Sequence, residues 1–178
     1  MSNASLILGG VKSGKSRLAE ERASRSGCAV RYVATATNPG DAEMQSRIET
    51  HRRRRPAHWQ TLEVPVHLAA TLREHAREDG CLLVDCLTLW LTNLLCDSRP
   101  GLLREETEAL IKLLPQLPGI IILVSNETGF GVIPMGELSR RFVDEAGVLH
   151  QRLAEHCDEV ILTVAGLPHY LKGKPDER

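Results

Sequence analysis

The sequence predicts an α/β protein: a mostly parallel sheet with helices on both faces, built as a single domain over residues 1–178. Three observations predict it. Short apolar runs alternate with longer amphipathic segments along the whole chain. The runs Cys81-Leu82-Leu83-Val84 and Ile120-Ile121-Ile122-Leu123-Val124 are apolar at almost every position, which suits strands covered on both faces rather than strands with one wet face. The octet Gly9-Gly10-Val11-Lys12-Ser13-Gly14-Lys15-Ser16 fits the phosphate-loop pattern G-x-x-x-x-G-K-[ST], directly after an apolar run and directly before a helix former.

The elements follow in order. Leu6-Ile7-Leu8 reads as a buried strand, and Arg17-Leu18-Ala19-Glu20-Glu21-Arg22-Ala23 as the helix the loop opens. Residues 29–34 read as a second strand. The turn Asn38-Pro39-Gly40 stops it and starts a helix over 41–55, closed by Pro56. A short strand at 61–64 and a helix over 68–77 precede the apolar strand 81–85. Helices follow at 87–95 and 105–114, then the strand 119–124. A long helix over 138–156 places Leu138, Phe142, Val143, Ala146, Leu149 and Leu153 roughly on one face, and a last strand covers 159–165. The polar tail 172–178 is expected to fray.

Composition narrows the class. The chain is 42% hydrophobic and 25% charged with a net charge of −1, ordinary for a soluble domain. No global field steers it to nucleic acid or an anionic membrane. No apolar segment reaches the length of a membrane span, and Met1-Ser2-Asn3-Ala4 lacks the regions of a signal peptide. Cys28, Cys81, Cys86, Cys96 and Cys157 are odd in number and form no C-x-x-C pair, which points to free thiols and a cytoplasmic location.

The phosphate loop carries the first chemistry. Gly9, Gly10 and Gly14 let the backbone turn tightly and aim N–H groups, with those of Val11, Lys12 and Ser13, at phosphate oxygens. The positive end of the next helix adds to that field. Lys15 reaches the β- and γ-phosphates and the Ser16 hydroxyl takes a place on Mg²⁺. The apolar strand that ends in Asp85 supplies a carboxylate at the same sheet edge, either as a second metal position or as an ordinary cap of the following helix. Ser125-Asn126-Glu127-Thr128 follows a strand but lacks the lysine and aspartate of a guanine-reading N-K-x-D run, so a switch GTPase is not indicated.

Arg47, His51 and Arg55 are spaced four apart and share a helix face, with Arg54 beside them. Nearby cations disfavour the protonated imidazole, and the same arginines clamp phosphates, a combination that suits a histidine attacking phosphorus. A solvated basic face with an incidental histidine, or a nucleic-acid patch, reads the same residues differently.

Four blocks resemble a known family. They are residues 9–17; Arg47-Ile48 through His51 to Arg55-Pro56 and Trp59; Asp85-Cys86-Leu87-Thr88 through Asn93-Leu94; and Asn126-Glu127-Thr128-Gly129-Phe130-Gly131-Val132-Ile133-Pro134, followed by Leu138, Arg140, Phe142 and Gly147. Together they resemble the bifunctional adenosylcobinamide kinase/adenosylcobinamide-phosphate guanylyltransferase of cobalamin synthesis, across nearly the whole chain. The resemblance implies a P-loop, RecA-like fold and a triphosphate on residues 9–16. It implies that His51 becomes covalently guanylylated, and that Ala34, Thr35, Ala36, Arg52, Arg53, Arg54, Glu63 and Asp85 lie at nucleotide-binding positions. Asp85 stands where some members have Glu, and His150-Gln151 departs from an expected Asn-Gln pair.

The implied chemistry has two steps. GTP or ATP, with Mg²⁺, phosphorylates the aminopropanol hydroxyl of adenosylcobinamide; GMP then passes from GTP through His51 to give adenosylcobinamide-GDP. The implied partner is the corrinoid, not nucleic acid or a membrane, and the implied assembly a homotrimer. A small-molecule kinase without a covalent step, or a non-catalytic nucleotide-gated module, are the competing readings of the loop.

Overall fold

The computed structural model describes residues 3–37, 49 and 55–174. Its elements run β1 (Asn3–Gly9), α1 (Lys15–Arg25), β2 (Ala29–Ala34), β3 (Gln60–Glu63), α2 (Leu68–His75), β4 (Gly80–Asp85), α3 (Leu87–Cys96), α4 (Leu102–Leu113), a 3-10 turn (Leu114–Gln116), β5 (Ile120–Asn126), α5 (Glu137–His156), β6 (Glu159–Val164) and β7 (Leu167–Lys172). Of the helix expected over 41–55, only Glu49 and Arg55 fall among the described residues.

The described strands form one sheet in the order β3-β2-β4-β5-β1-β6-β7. Every neighbouring pair is parallel except β6 with β7. The first six strands therefore end on one edge. Register places Ala34 beside Asp85, Asp85 beside Val124, and Gly9 beside Asn126. Loops that leave those strand ends converge, the position where open α/β sheets bind ligands.

Alternation within the strands explains the two covered faces. Leu6, Leu8, Leu82, Val84, Ile121 and Leu123 pack on one side with Leu68, Leu72, Trp90, Leu110, Leu149 and Leu153 from α2 to α5. Ile7, Tyr32, Cys81, Leu83, Ile122 and Val124 pack on the other with Ala19 and Ala23 of α1 and with Trp59. Burying such aliphatic side chains contributes roughly 1.5–3 kcal/mol each before chain entropy is counted. Trp90 keeps its indole N–H satisfied by donating to the Val66 carbonyl at 2.6 Å.

One element departs from expectation. The chain does not end its sheet with β6: a hairpin adds β7 antiparallel, and Lys172, expected in a frayed tail, pairs with Val160. The turn places Ala165 at φ 51° and Gly166 at φ 80°, the left-handed region favoured in tight hairpins. Cys28, Cys81, Cys86, Cys96 and Cys157 are all free thiols, with Cys81, Cys86 and Cys157 buried. Burial pushes the Cys86 thiol up to about 11, so it is held protonated. No helix among the described residues is long and apolar enough to cross a membrane.

Candidate nucleotide site

The loop between β1 and α1 is shaped by its backbone. Gly14 lies at φ 99° and caps α1, which starts at Lys15. Ser13 N–H donates to the Gly10 carbonyl at 3.2 Å and Leu18 N–H to the Gly14 carbonyl at 3.0 Å, closing the turn and opening the helix. A side chain at Gly9 would meet Ser13 Oγ at 2.4 Å and the Thr163 carbonyl at 2.6 Å, whereas nothing lies within 4 Å of one at Gly10. The loop is packed at its base and open at its crown.

Two neighbouring strands brace it. Glu127 N–H, just past β5, donates to the Gly9 carbonyl at 3.0 Å, and Gly166 N–H, in the β6–β7 turn, donates to the Ser13 carbonyl at 2.8 Å. The Ser13 hydroxyl is buried with no hydrogen-bond partner among the described residues.

Lys15 is 9% exposed, and its Nζ donates back to the Gly10 carbonyl at 3.0 Å. Burial lowers its pKa, while Cys86 and Asp85 pull the other way. A buried amine with one carbonyl partner, an unpartnered Ser13 hydroxyl and an open crown of N–H groups fit a polyphosphate, which would supply the missing acceptors and charge. Ser16 is half-buried, and its hydroxyl makes no hydrogen bond among the described residues.

Asp85 ends β4 on the α1 side of the sheet. Tyr32 OH donates to its Oδ2 at 2.8 Å. Tyr32 is held protonated by burial first and by the Asp85 carboxylate second, against the opposing charge of Arg55. The Arg55 guanidinium lies 3.3 Å above the Tyr32 ring centroid. The alternative role for Asp85, as cap of the next helix, does not match the geometry: Cys86 is the residue before α3, and no side chain caps that helix. Among the described residues no cluster of three His, Cys, Asp or Glu could hold a metal alone. Ser16 and Asp85 are oxygen donors of the kind Mg²⁺ takes alongside phosphate oxygens and water.

The other expected positions distribute unevenly. Glu63 ends β3 at the same edge, exposed. Ala34 and Ala36 are half-buried beside it, and the Ala34 carbonyl accepts from Val64 N–H at 2.8 Å. The Thr35 hydroxyl turns inward: it donates to the Cys86 carbonyl at 2.6 Å and accepts from Cys86 N–H at 3.0 Å. The Thr35 carbonyl is taken by Asn93 Nδ2 at 2.8 Å. That residue ties β2 to the start of α3. His51, Arg52, Arg53 and Arg54 lie outside the described residues.

Sequence reading assigned no role to two features. Tyr32 sits in an apolar strand and reads as core, yet its hydroxyl holds Asp85. The end of β5 carries a polar run that joins three elements. His150 Nε2 is 2.8 Å from Ser125 Oγ, Ser125 Oγ is 3.4 Å from Thr88 Oγ1, and Thr88 Oγ1 accepts from Asn126 N–H at 2.7 Å. A polar Ser125-Asn126-Glu127 tail on an otherwise apolar strand was the available signal.

Comparison with known proteins adds the family. The model of the family described as cobinamide kinase / cobinamide phosphate guanyltransferase matches residues 5–171. The chain is 66% identical over 170 residues to the bifunctional adenosylcobalamin biosynthesis protein CobP of Pseudomonas aeruginosa, covering 96% of this chain and 98% of that one. It is 37% identical over 175 residues to the bifunctional adenosylcobalamin biosynthesis protein CobU of Escherichia coli, covering 91% and 96%. Among solved structures, an ATPase from a type III secretion system of pathogenic bacteria aligns with a TM-score of 0.57 at 13% identity, covering 94% of this chain and 56% of that one. A Pyrococcus horikoshii OT3 protein aligns with a TM-score of 0.55 at 10% identity, covering 98% and 88%. These two show a shared fold.

Proposed function

The chain belongs to the cobinamide kinase / cobinamide phosphate guanyltransferase family, and from that premise we propose that it phosphorylates adenosylcobinamide and then converts the product to adenosylcobinamide-GDP. The observation that carries the reading is the phosphate loop braced from β5 and from the β6–β7 turn, with Lys15 buried at its base and bonded to the Gly10 carbonyl.

In the first step the corrinoid hydroxyl attacks the γ-phosphorus of a bound triphosphate, GTP or ATP; the ester bond forms as the bond to the β-phosphate oxygen breaks, and the nucleoside diphosphate leaves with the hydroxyl proton going to solvent. Such transfer needs mainly positioning and charge neutralisation. The backbone of residues 9–14 and Lys15 bind the phosphates; Ser16 and Asp85 are the metal positions. Ser16 and Asp85 would hold Mg²⁺, which would supply charge neutralisation at the phosphate oxygens. Tyr32, by donating to Asp85, fixes the orientation of that carboxylate at the strand end.

In the second step a His51 ring nitrogen attacks the α-phosphorus of GTP. The P–N bond forms as the bond to pyrophosphate breaks, and the phosphate oxygen of adenosylcobinamide phosphate then displaces the imidazole. Arg52, Arg53, Arg54 and Glu63, with the 34–36 segment, complete the nucleotide contacts in this reading. The partner is the corrinoid, the assembly a homotrimer, and the location the cytoplasm.

The test is product identification by mass spectrometry. Adenosylcobinamide with ATP and Mg²⁺ should give only the phosphate ester. Adding GTP should convert that ester to the GDP derivative with release of pyrophosphate. Formation of the ester alone in the presence of GTP would reduce the function to a small-molecule kinase, and no corrinoid product at all would overturn the reading.

A further inference from the structure

β5 lies between the strand that carries the phosphate loop and the strand that ends in Asp85. Its last residue, Asn126, stands in register with Gly9. Strand alternation puts it on the same face as Ile122 and Val124, the face covered by α1. Asp85 ends the adjacent strand on that same face, two residues back in register. Asn126 is therefore the side chain placed between the loop and the acidic strand end.

Its backbone is held on three sides while its carboxamide is free. Asn126 N–H donates to Thr88 Oγ1 at 2.7 Å, and the following residue, Glu127, donates to the Gly9 carbonyl at 3.0 Å. The preceding residue, Ser125, is joined to His150 Nε2 at 2.8 Å. One proton order that satisfies the run begins at His150. A neutral His150 with its proton on Nδ1, toward Glu127 Oε2 at 3.9 Å, accepts from Ser125, and Ser125 accepts from Thr88. The carboxamide itself is half-buried and has no partner among the described residues. A fixed backbone with an unused two-donor amide, beside a loop shaped for phosphates, is a contact awaiting a ligand.

We propose that the Asn126 carboxamide donates to the terminal phosphate of the bound triphosphate, and that Thr88, Ser125 and His150 position it. The inference deepens the proposed function, because it assigns a further residue to the same site, but its test does not need the corrinoid. The preference of the protein for a non-hydrolysable β,γ-imido GTP over GDP is measured by calorimetry, in the wild type and in variants. Asn126→Ala should lower that preference about tenfold, the worth of one hydrogen bond to a charged group. Its GDP affinity should stay within about twofold of wild type. The isosteric Asn126→Asp should lower the preference further, since a carboxylate repels phosphate. Thr88→Val should give a smaller loss in the same ratio, and Thr88→Ser, which keeps the hydroxyl, should restore it. An unchanged ratio in Asn126→Ala, or an equal loss of GDP and triphosphate affinity, would overturn the assignment. Failure of corrinoid turnover with this ratio shifted as expected would instead count against the proposed function alone.

Discussion

At the scale of single residues, burial governs Lys15 of the loop and His150 of α5. Lys15 and His150 are both withdrawn from water, and burial lowers the pKa of each. For Lys15 the shift leaves a cation that gains most when phosphate arrives. For His150 it leaves a neutral ring able to accept from Ser125, with Glu127 opposing the shift only in part. The folded protein thus resists a proton that the unfolded chain takes up near 6.5. The His150 contribution to stability is complete above that value and falls as the pH drops below it, toward the lower folded pKa. His150→Gln, whose amide can reach Ser125 from the position of Nε2, removes the titration. Urea unfolding at neutral pH and near pH 5 should show a smaller acid loss in the variant than in wild type; equal losses would mean that His150 titrates normally. These two residues also show what sequence can reveal. Lys15 was legible because a fixed motif names it, whereas His150 read only as a departure from a helix pattern. Its partner Ser125 lies in another element, and no local spacing links them.

At the scale of elements, the phosphate loop is held from outside itself. Gly9 is needed not for its dihedrals but for close packing, since a Cβ there would meet Ser13 Oγ and the backbone carbonyl of Thr163. Gly9→Ala should therefore destabilise the fold by about 1–3 kcal/mol, as overpacking of a tight contact does. Denaturant unfolding within about 0.5 kcal/mol of wild type would contradict that packing argument. The β6–β7 turn braces the loop from the other side through Gly166. This hairpin was the element sequence did not show. β7 is an edge strand with exposed residues at most positions, so it carries no buried alternation. It includes Pro168, which suits an outer edge strand, and ends in Lys172, which read as the start of the tail. Its turn is Ala165-Gly166 rather than the Asn-Gly or Asp-Gly that marks a hairpin. The buried strands were legible for the opposite reason: β4 and β5 are covered on both faces and need apolar residues almost throughout.

At the scale of the molecule, six parallel strands bring Gly9, Asp85 and Asn126 to one edge, and the order of the sheet puts Asn126 between the other two. Composition and motif predicted the parallel sheet and the loop, because both follow from burial and from one fixed pattern. The part played by the end of β5 was not legible, because it depends on which strand lies beside which. The proposed function joins two chemistries, direct phosphoryl transfer at the loop and guanylyl transfer through His51. The most direct measurement is protein labelling by GTP carrying ³²P at the α-phosphate, read on a denaturing gel. Wild type should label, and the adduct should be labile to acid and stable to base, as a phosphoramidate is. His51→Ala should not label yet should still phosphorylate adenosylcobinamide in part, while Lys15→Ala should lose both activities. A His51→Ala protein that labels as wild type does would contradict the proposal.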